Sequence, residues 1–112
     1  MTAQNTLPRT RLLGSPSGVR HQLALGSGDS RLFLRLHAGS EGFEELSGAV
    51  QTSVNADTWT SGPGLFTMSR AGAYSVALPA PLSKRRRVEV LVRSEEGGWV
   101  EVEGWEVENV EG

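Results

Sequence analysis

From Val19 onward, apolar and polar residues alternate with a period of two. Val19, His21, Leu23 and Leu25 are interleaved with Arg20, Gln22 and Ala24. Gly26-Ser27-Gly28-Asp29 interrupts the run, and Arg31–His37 resumes it, with Leu32, Leu34 and Leu36 on one face. A period of two places every second side chain on one side of a strand, and two such runs separated by a glycine-containing gap read as a hairpin. Glu41–Leu46 has room for one helical turn, bounded by Gly39, Gly42 and Gly48. Ala49–Val54 reads as a strand with Val50 inward, and Asn55–Gly64 as a loop carrying Trp59. Leu65–Ser69 and Ala73–Leu78 are strands joined at Arg70-Ala71-Gly72, and Pro79-Ala80-Pro81 ends the second because proline cannot donate to a ladder. Arg86–Arg93 alternates Val88, Val90 and Val92 with charged residues and Leu91, and Glu95–Gly98 turns. Trp99–Glu103 and Trp105–Val110 follow, with a kink or bulge expected at Gly104. Trp105 shares a face with Val107, which reads as core. About seven to eight short strands with turn signals between them predict an all-β protein: an antiparallel β-sandwich or small jelly-roll or barrel.

Residues 1–18 break the pattern. Pro8, Gly14, Pro16 and Gly18 punctuate the segment, and its one apolar pair is Leu12-Leu13. It has little surface to bury against the entropy of ordering, so it reads as an N-terminal arm, flexible or ordered along a partner, ahead of a body over 19–112.

A chain of 112 residues suits one domain. It has no cysteine, which excludes a disulfide scaffold or a thiolate metal site. No apolar run approaches the roughly 20 residues of a membrane span, Met1–Leu13 lacks the apolar core of a signal peptide, and the absence of cysteine fits a reducing cytoplasm and equally a protein assembled there and released later. Net charge is −2, but unevenly spread. Residues 1–40 hold five arginines against one aspartate, and residues 94–112 hold seven glutamates and no basic residue. Between them lies Lys84-Arg85-Arg86-Arg87. Such asymmetry marks surfaces that meet something.

Candidate chemistry is sparse. His21 and His37 are the only histidines and lack the closely spaced co-ligands of a metal motif. No Gly-x-Ser-x-Gly elbow or phosphate loop occurs. Glu101, Glu103, Glu106 and Glu108 form an acidic row, read as a solvent face that guards an edge or docks a partner. Lys84–Arg87 suits phosphates, yet the acidic C-terminus and the lack of interleaved aromatics weigh against nucleic acid. Trp59, in its Gly/Pro loop, is the aromatic best placed to meet a glycan or a protein partner. These readings predict no catalytic residue, cofactor or metal, and no enzyme activity.

The stretch Gly64–Leu78, with Gly64-Leu65-Phe66 and then Ala71-Gly72-Ala73-Tyr74-Ser75-Val76-Ala77-Leu78, resembles the central strand pair of C1q/TNF-like jelly rolls. It also resembles the Gly-x-Tyr corner of Ig-like sandwiches without the cysteine. The resemblance implies that Gly72 turns a tight corner and that Tyr74 packs its ring inward while its hydroxyl caps a backbone group. The chain lacks a calcium-ligand cluster and a collagen stalk, so neither family's activity carries over. The whole-chain pattern is similar to small β-sandwich accessory proteins of tailed-phage particles. That resemblance implies a virion protein assembled in the host cytoplasm, decorating a capsid or serving a head–tail connector or tail. Its partners would be other subunits and copies of itself, met through Arg9, Arg11, Leu12, Leu13, Trp59, Lys84, Arg85, Arg86, Arg87 and the four glutamates. The alternative is a carbohydrate-binding module of an adsorption or secreted apparatus.

Overall fold

The computed structural model describes residues 3–26, 28–78 and 85–108. Eight strands follow in order: β1 (Ala3–Leu13), β2 (Val19–Ala24), β3 (Ser30–Gly39), β4 (Phe43–Ser53), β5 (Thr60–Met68), β6 (Gly72–Leu78), β7 (Arg85–Ser94) and β8 (Trp99–Glu108). They form two antiparallel four-stranded sheets, β1-β8-β3-β6 and β2-β7-β4-β5. The chain therefore behaves as one long hairpin rolled up on itself. β1 pairs with β8, β2 with β7, β3 with β6 and β4 with β5, and successive pairs fall in alternate sheets. This strand order is that of an eight-stranded jelly roll.

The alternation in the sequence decides which side chains lie between the sheets. Leu32, Leu34 and Leu36 of β3 and Val88, Val90 and Val92 of β7 point between the sheets, and all six are buried. Val100 and Val102 of β8, Leu46 of β4, Leu23 of β2, Phe66 of β5 and Leu78 of β6 complete it. Gly48 of β4 has no side chain, and the Phe66 ring occupies its place, opposite it in the ladder. Gly42 and Gly97 take positive φ in the turns before β4 and β8, where other residues would be strained.

Several expectations are corrected. The gap at 26–29 does not close a hairpin: β2 and β3 belong to opposite sheets, and the gap carries the chain from one to the other. Residues 41–46 make a turn and the start of β4 rather than a helical turn, since the alternating pattern begins at Phe43. β5 starts at Thr60, inside the segment read as loop. β8 runs through Gly104 without a break in its pairing with β3. The irregularities nearest Gly104 lie opposite, in β1, between Asn5 and Thr10, and β3 has one of its own between Leu36 and Ala38. With the alternation unbroken, Trp105 and Val107 face outward on β8, and Gly104 takes the inward position.

The N-terminal segment is corrected too, as far as it is described. Ala3–Leu13 is an edge strand of the first sheet, hydrogen-bonded along β8, with Leu12 in the core. Its period was obscured by the two irregularities, which throw the alternation out of phase around Pro8. Gly14 donates its N–H to the Gly98 carbonyl at 3.0 Å, and Ser15 accepts from Ser94 at 3.1 Å, so the link to β2 is also held by the body.

Candidate functional site

The outer face of the β2-β7-β4-β5 sheet carries a shallow hollow of about 470 Å³. Gln22 and Ala24 of β2, Arg85 and Arg87 of β7, and Ala56 and Trp59 of the β4–β5 loop line it. The loop is a built turn. The Asn55 side-chain oxygen accepts the N–H groups of Asp57 and Thr58 at 2.9 and 3.0 Å, and the Ser53 hydroxyl accepts the N–H of Ala56 at 2.9 Å. Asparagine is suited to capping its own turn in this way. Ala56 sits in the left-handed region at φ 66°, a conformation costing about 1–3 kcal/mol that the surrounding hydrogen bonds hold in place.

This turn folds the loop back over the sheet and sets Trp59 against Arg87. The guanidinium carbon lies 4.0 Å from the ring centroid. Arg87 Nε donates to Gln51 Oε1 at 2.7 Å, and Gln51 in turn donates to the Ser61 hydroxyl at 3.3 Å. The guanidinium is thus fixed by stacking on one side and by a buried amide on its inner edge, and among the described residues its terminal nitrogens have no hydrogen-bond partner. Such a pre-oriented fork suits carboxylate or phosphate groups. Among the described residues, no carboxylate lies within ion-pair distance of Arg85 or Arg87. Glu89, next on the same face of β7, is occupied by Arg20 at 2.7 Å and Gln22 at 3.3 Å.

Arg86 points the other way. Its side chain is 2 % exposed and reaches through the end of the sandwich to Glu106 of β8, itself 3 % exposed, at 3.0 Å. It also donates to the carbonyls of Gly26 (2.7 Å), Gly28 and Leu78 (3.2 Å), and to the Ser30 hydroxyl at 3.0 Å. Glu106 additionally accepts the Gly26 N–H at 2.7 Å and the Ser30 hydroxyl at 2.6 Å. Among the described residues no buried side-chain polar atom is left without a partner. This is a bolt between the two sheets, so Arg86 and Glu106 are removed from the predicted contact surface.

The remaining candidates divide. Arg9 pairs with Glu101 at 2.6 Å and Arg11 lies 3.8 Å from the same carboxylate, all on the outer face of the first sheet. The Arg9 hydrogen bond, aided by the nearby charges of Arg9, Arg11 and His37, holds the Glu101 carboxyl below its ordinary value. Glu103 accepts from His37 Nε2 at 2.6 Å, and Glu108 is exposed at the end of β8. The predicted acidic row is therefore split: Glu101 and Glu103 face out, and Glu106 faces in. The two histidines do not meet. His21 Nε2 lies 3.1 Å from the Leu13 carbonyl oxygen. Leu13 is 63 % exposed. Lys84 lies outside the described residues.

At the predicted corner, the Tyr74 hydroxyl donates to the Leu65 carbonyl and its ring packs at 5.2 Å from Phe66. Gly72 has no positive φ, and a Cβ there meets nothing within 4 Å, so the corner does not depend on it. Among the described residues, no three His, Asp or Glu side chains gather as a metal site. No helix there is long and apolar enough to cross a membrane.

Sequence reasoning named Trp59, Arg85 and Arg87 separately and missed Gln51, whose polar side chain is buried beneath the loop. The Ser53-Val54-Asn55-Ala56-Asp57 stretch held the signal, because an asparagine two residues before an aspartate at a strand end favours a self-capped turn.

The fold and the hollow together define an all-β jelly-roll chain with a cation-rich, tryptophan-anchored surface. No protein-family model matches the chain, and no curated protein matches it in sequence.

Proposed function

We propose that the protein is a non-catalytic assembly module, in the manner of the small accessory proteins of tailed-phage particles, and that it holds an acidic surface of a neighbouring subunit in the Trp59–Arg87 hollow. The observation that supports this is the pairing pattern of the charges. Arg9, Arg11, Arg20 and Arg86 have the acidic partners Glu101, Glu89 and Glu106 within the chain, whereas Arg85 and Arg87, together on the hollow, have none among the described residues; Arg31, Arg35 and Arg70 lack one too, but none of these three lines the hollow. A rigid aromatic ring beside a fixed guanidinium is the composition of a contact anchor, since Trp and Arg lose little conformational freedom per contact made.

The test uses a hexaglutamate peptide as probe, titrated into the full chain by calorimetry. Binding that weakens with salt, and that falls at least tenfold in Arg87→Glu and in Trp59→Ala, supports the reading. Unaltered binding by both variants overturns it. The virion setting has its own test in the reading frames beside the gene: capsid, portal or tail frames support it, and a glycosidase or secretion operon overturns it.

A second reading is favoured by one feature. The hollow combines a partly exposed indole with the amide of Gln22, a pairing that also suits a sugar ring. Jelly rolls carry lectin sites as well as capsid contacts. A glycan array with wild type and Trp59→Ala separates the two: an acidic-glycan signal lost in the variant, without hexaglutamate binding, selects the carbohydrate module.

A further inference from the structure

Each sheet has two edge strands, and an open edge is a template for pairing unless something blocks it. Three of the four are blocked. β1 carries Pro8, Arg9 and Arg11 and two irregularities in its register. β2 is six residues long and presents Arg20 on its outer face. β5 carries Gly62-Pro63-Gly64, and its register with β4 shifts twice. β6 differs. It is Gly-Ala-Tyr-Ser-Val-Ala-Leu, with no charge and no proline. Its pairing with β3 runs from Ser30↔Leu78 to Leu36↔Gly72 without a shift. Among the described residues, no backbone hydrogen bond beyond the β3 ladder reaches it.

We infer that the β6 edge is a self-association site, which pairs with the β6 of a second copy about a two-fold axis through Ser75. The strand is complementary to itself. Antiparallel pairing centred on Ser75 sets Ala73 against Ala77 and Ser75 against Ser75 on the outer face, and Tyr74 against Val76 on the inner face. Small residues meet small ones outside, where crowding at the axis would be worst. An aromatic meets a β-branched residue inside, one of the favourable cross-strand pairs. No charge lies on either strand to be opposed by its own copy. The nearest outer-face cation is Arg31 of β3, whose guanidinium donates to the Ser75 hydroxyl at 3.0 Å. The two copies of Arg31 therefore approach each other across the axis, and salt, which screens their repulsion, favours the joint. The joint makes one continuous eight-stranded sheet from two four-stranded ones, through an isologous contact that closes at two copies. An edge of seven residues is a small interface, so the dimer is weak and reversible in isolation. This inference goes beyond the proposed function: it concerns the other sheet and needs no acidic partner.

The absence of cysteine from the chain makes a register-specific test possible. In Ser75→Cys the two introduced thiols meet at the axis, within disulfide reach, and a covalent dimer accumulates under mild oxidation. In Ala77→Cys the two thiols lie about 13 Å apart along the joint and do not cross-link, whereas a mixture of Ala73→Cys and Ala77→Cys gives the heterodimer. Analytical ultracentrifugation of the wild type shows a monomer–dimer equilibrium that does not weaken with salt, and Ser75→Lys, exposed and away from the core, is monomeric. Equal cross-linking in Ser75→Cys and Ala77→Cys, or a wild type that stays monomeric at millimolar concentration, overturns the inference. The salt response separates this site from the Trp59–Arg87 hollow, whose binding is ionic. Either site can fail its test while the other passes.

Discussion

Truncating Glu106 to alanine takes from the buried Arg86 guanidinium the carboxylate it meets at 3.0 Å. The side chains of this pair are 3 % and 2 % exposed, so water cannot take over the lost contact. Three hydrogen bonds go with the carboxylate: from Gly26 N–H, the Ser30 hydroxyl and Arg86 itself. Removing one partner of a buried ion pair costs about 3–5 kcal/mol, out of a total of roughly 5–15 kcal/mol for a domain. At this chain length each kcal/mol moves Tm by roughly 4 °C, so a fall of about 12–20 °C is expected. Arg86→Met is expected to cost at least as much, because it strips the donor from the Gly26, Gly28 and Leu78 carbonyls as well as from Glu106. The double variant, Arg86→Met with Glu106→Ala, removes both charges and is expected to be no less stable than Arg86→Met alone. The assay is urea unfolding of the four proteins, with equal slopes as the check that the unfolded states are comparable. A coupling energy of at least about 2 kcal/mol is expected. Single variants costing under about 1 kcal/mol each, or a double variant equal to their sum, would refute the reasoning.

Other perturbations probe different terms. Gly48→Ala places a Cβ 2.4 Å from the Phe66 ring, and overpacking of this kind is expected to cost about 1–3 kcal/mol in the same unfolding assay. Gly72→Ala has open space and no positive φ, so it is expected to be neutral or to stabilise by about 0.5 kcal/mol through the unfolded chain. Glu101, held below its ordinary value of 4.5 by Arg9, contributes stability that is present above the unfolded carboxylate range. That contribution is lost as pH falls through the lowered value. Carbon-detected titration should show Glu101 protonating below its ordinary value of 4.5, and Arg9→Ala should bring it back toward that value.

The body of the fold was readable because its central strands obey one rule throughout. Leu32, Leu34 and Leu36, then Val88, Val90 and Val92, then Val100 and Val102 alternate without interruption, and each enters the core. What the sequence could not convey was which strands meet. The gap between β2 and β3 has the length and glycine content of a hairpin loop, yet it carries the chain across the sandwich. Nothing local distinguishes the two, because the choice is made by β7 and β8, more than fifty residues away. Strand β1 was hidden for a related reason. Its side chains follow two irregularities around Pro8, and its stability comes from β8 at the far end of the chain.

The same topology accounts for the charges. A rolled hairpin brings the first strand against the last, so the arginine-rich beginning and the glutamate-rich end of the chain are neighbours in the folded molecule. Arg9 and Arg11 reach Glu101 because β1 lies along β8, and Arg35 lies opposite Glu103 because β3 lies along its other side. The asymmetry that suggested two surfaces awaiting partners is in large part complementarity between strands of one chain. The basic run at the start of β7 is one place where this internal matching ends. There the alternation of the strand sends Arg86 inward to Glu106 and turns Arg85 and Arg87 outward. Among the described residues Arg87 meets glutamine and tryptophan, and neither it nor Arg85 meets a carboxylate. Charge that the fold does not neutralise is charge left for another molecule, and the hollow around Trp59 is therefore the surface on which a binding experiment has most to decide.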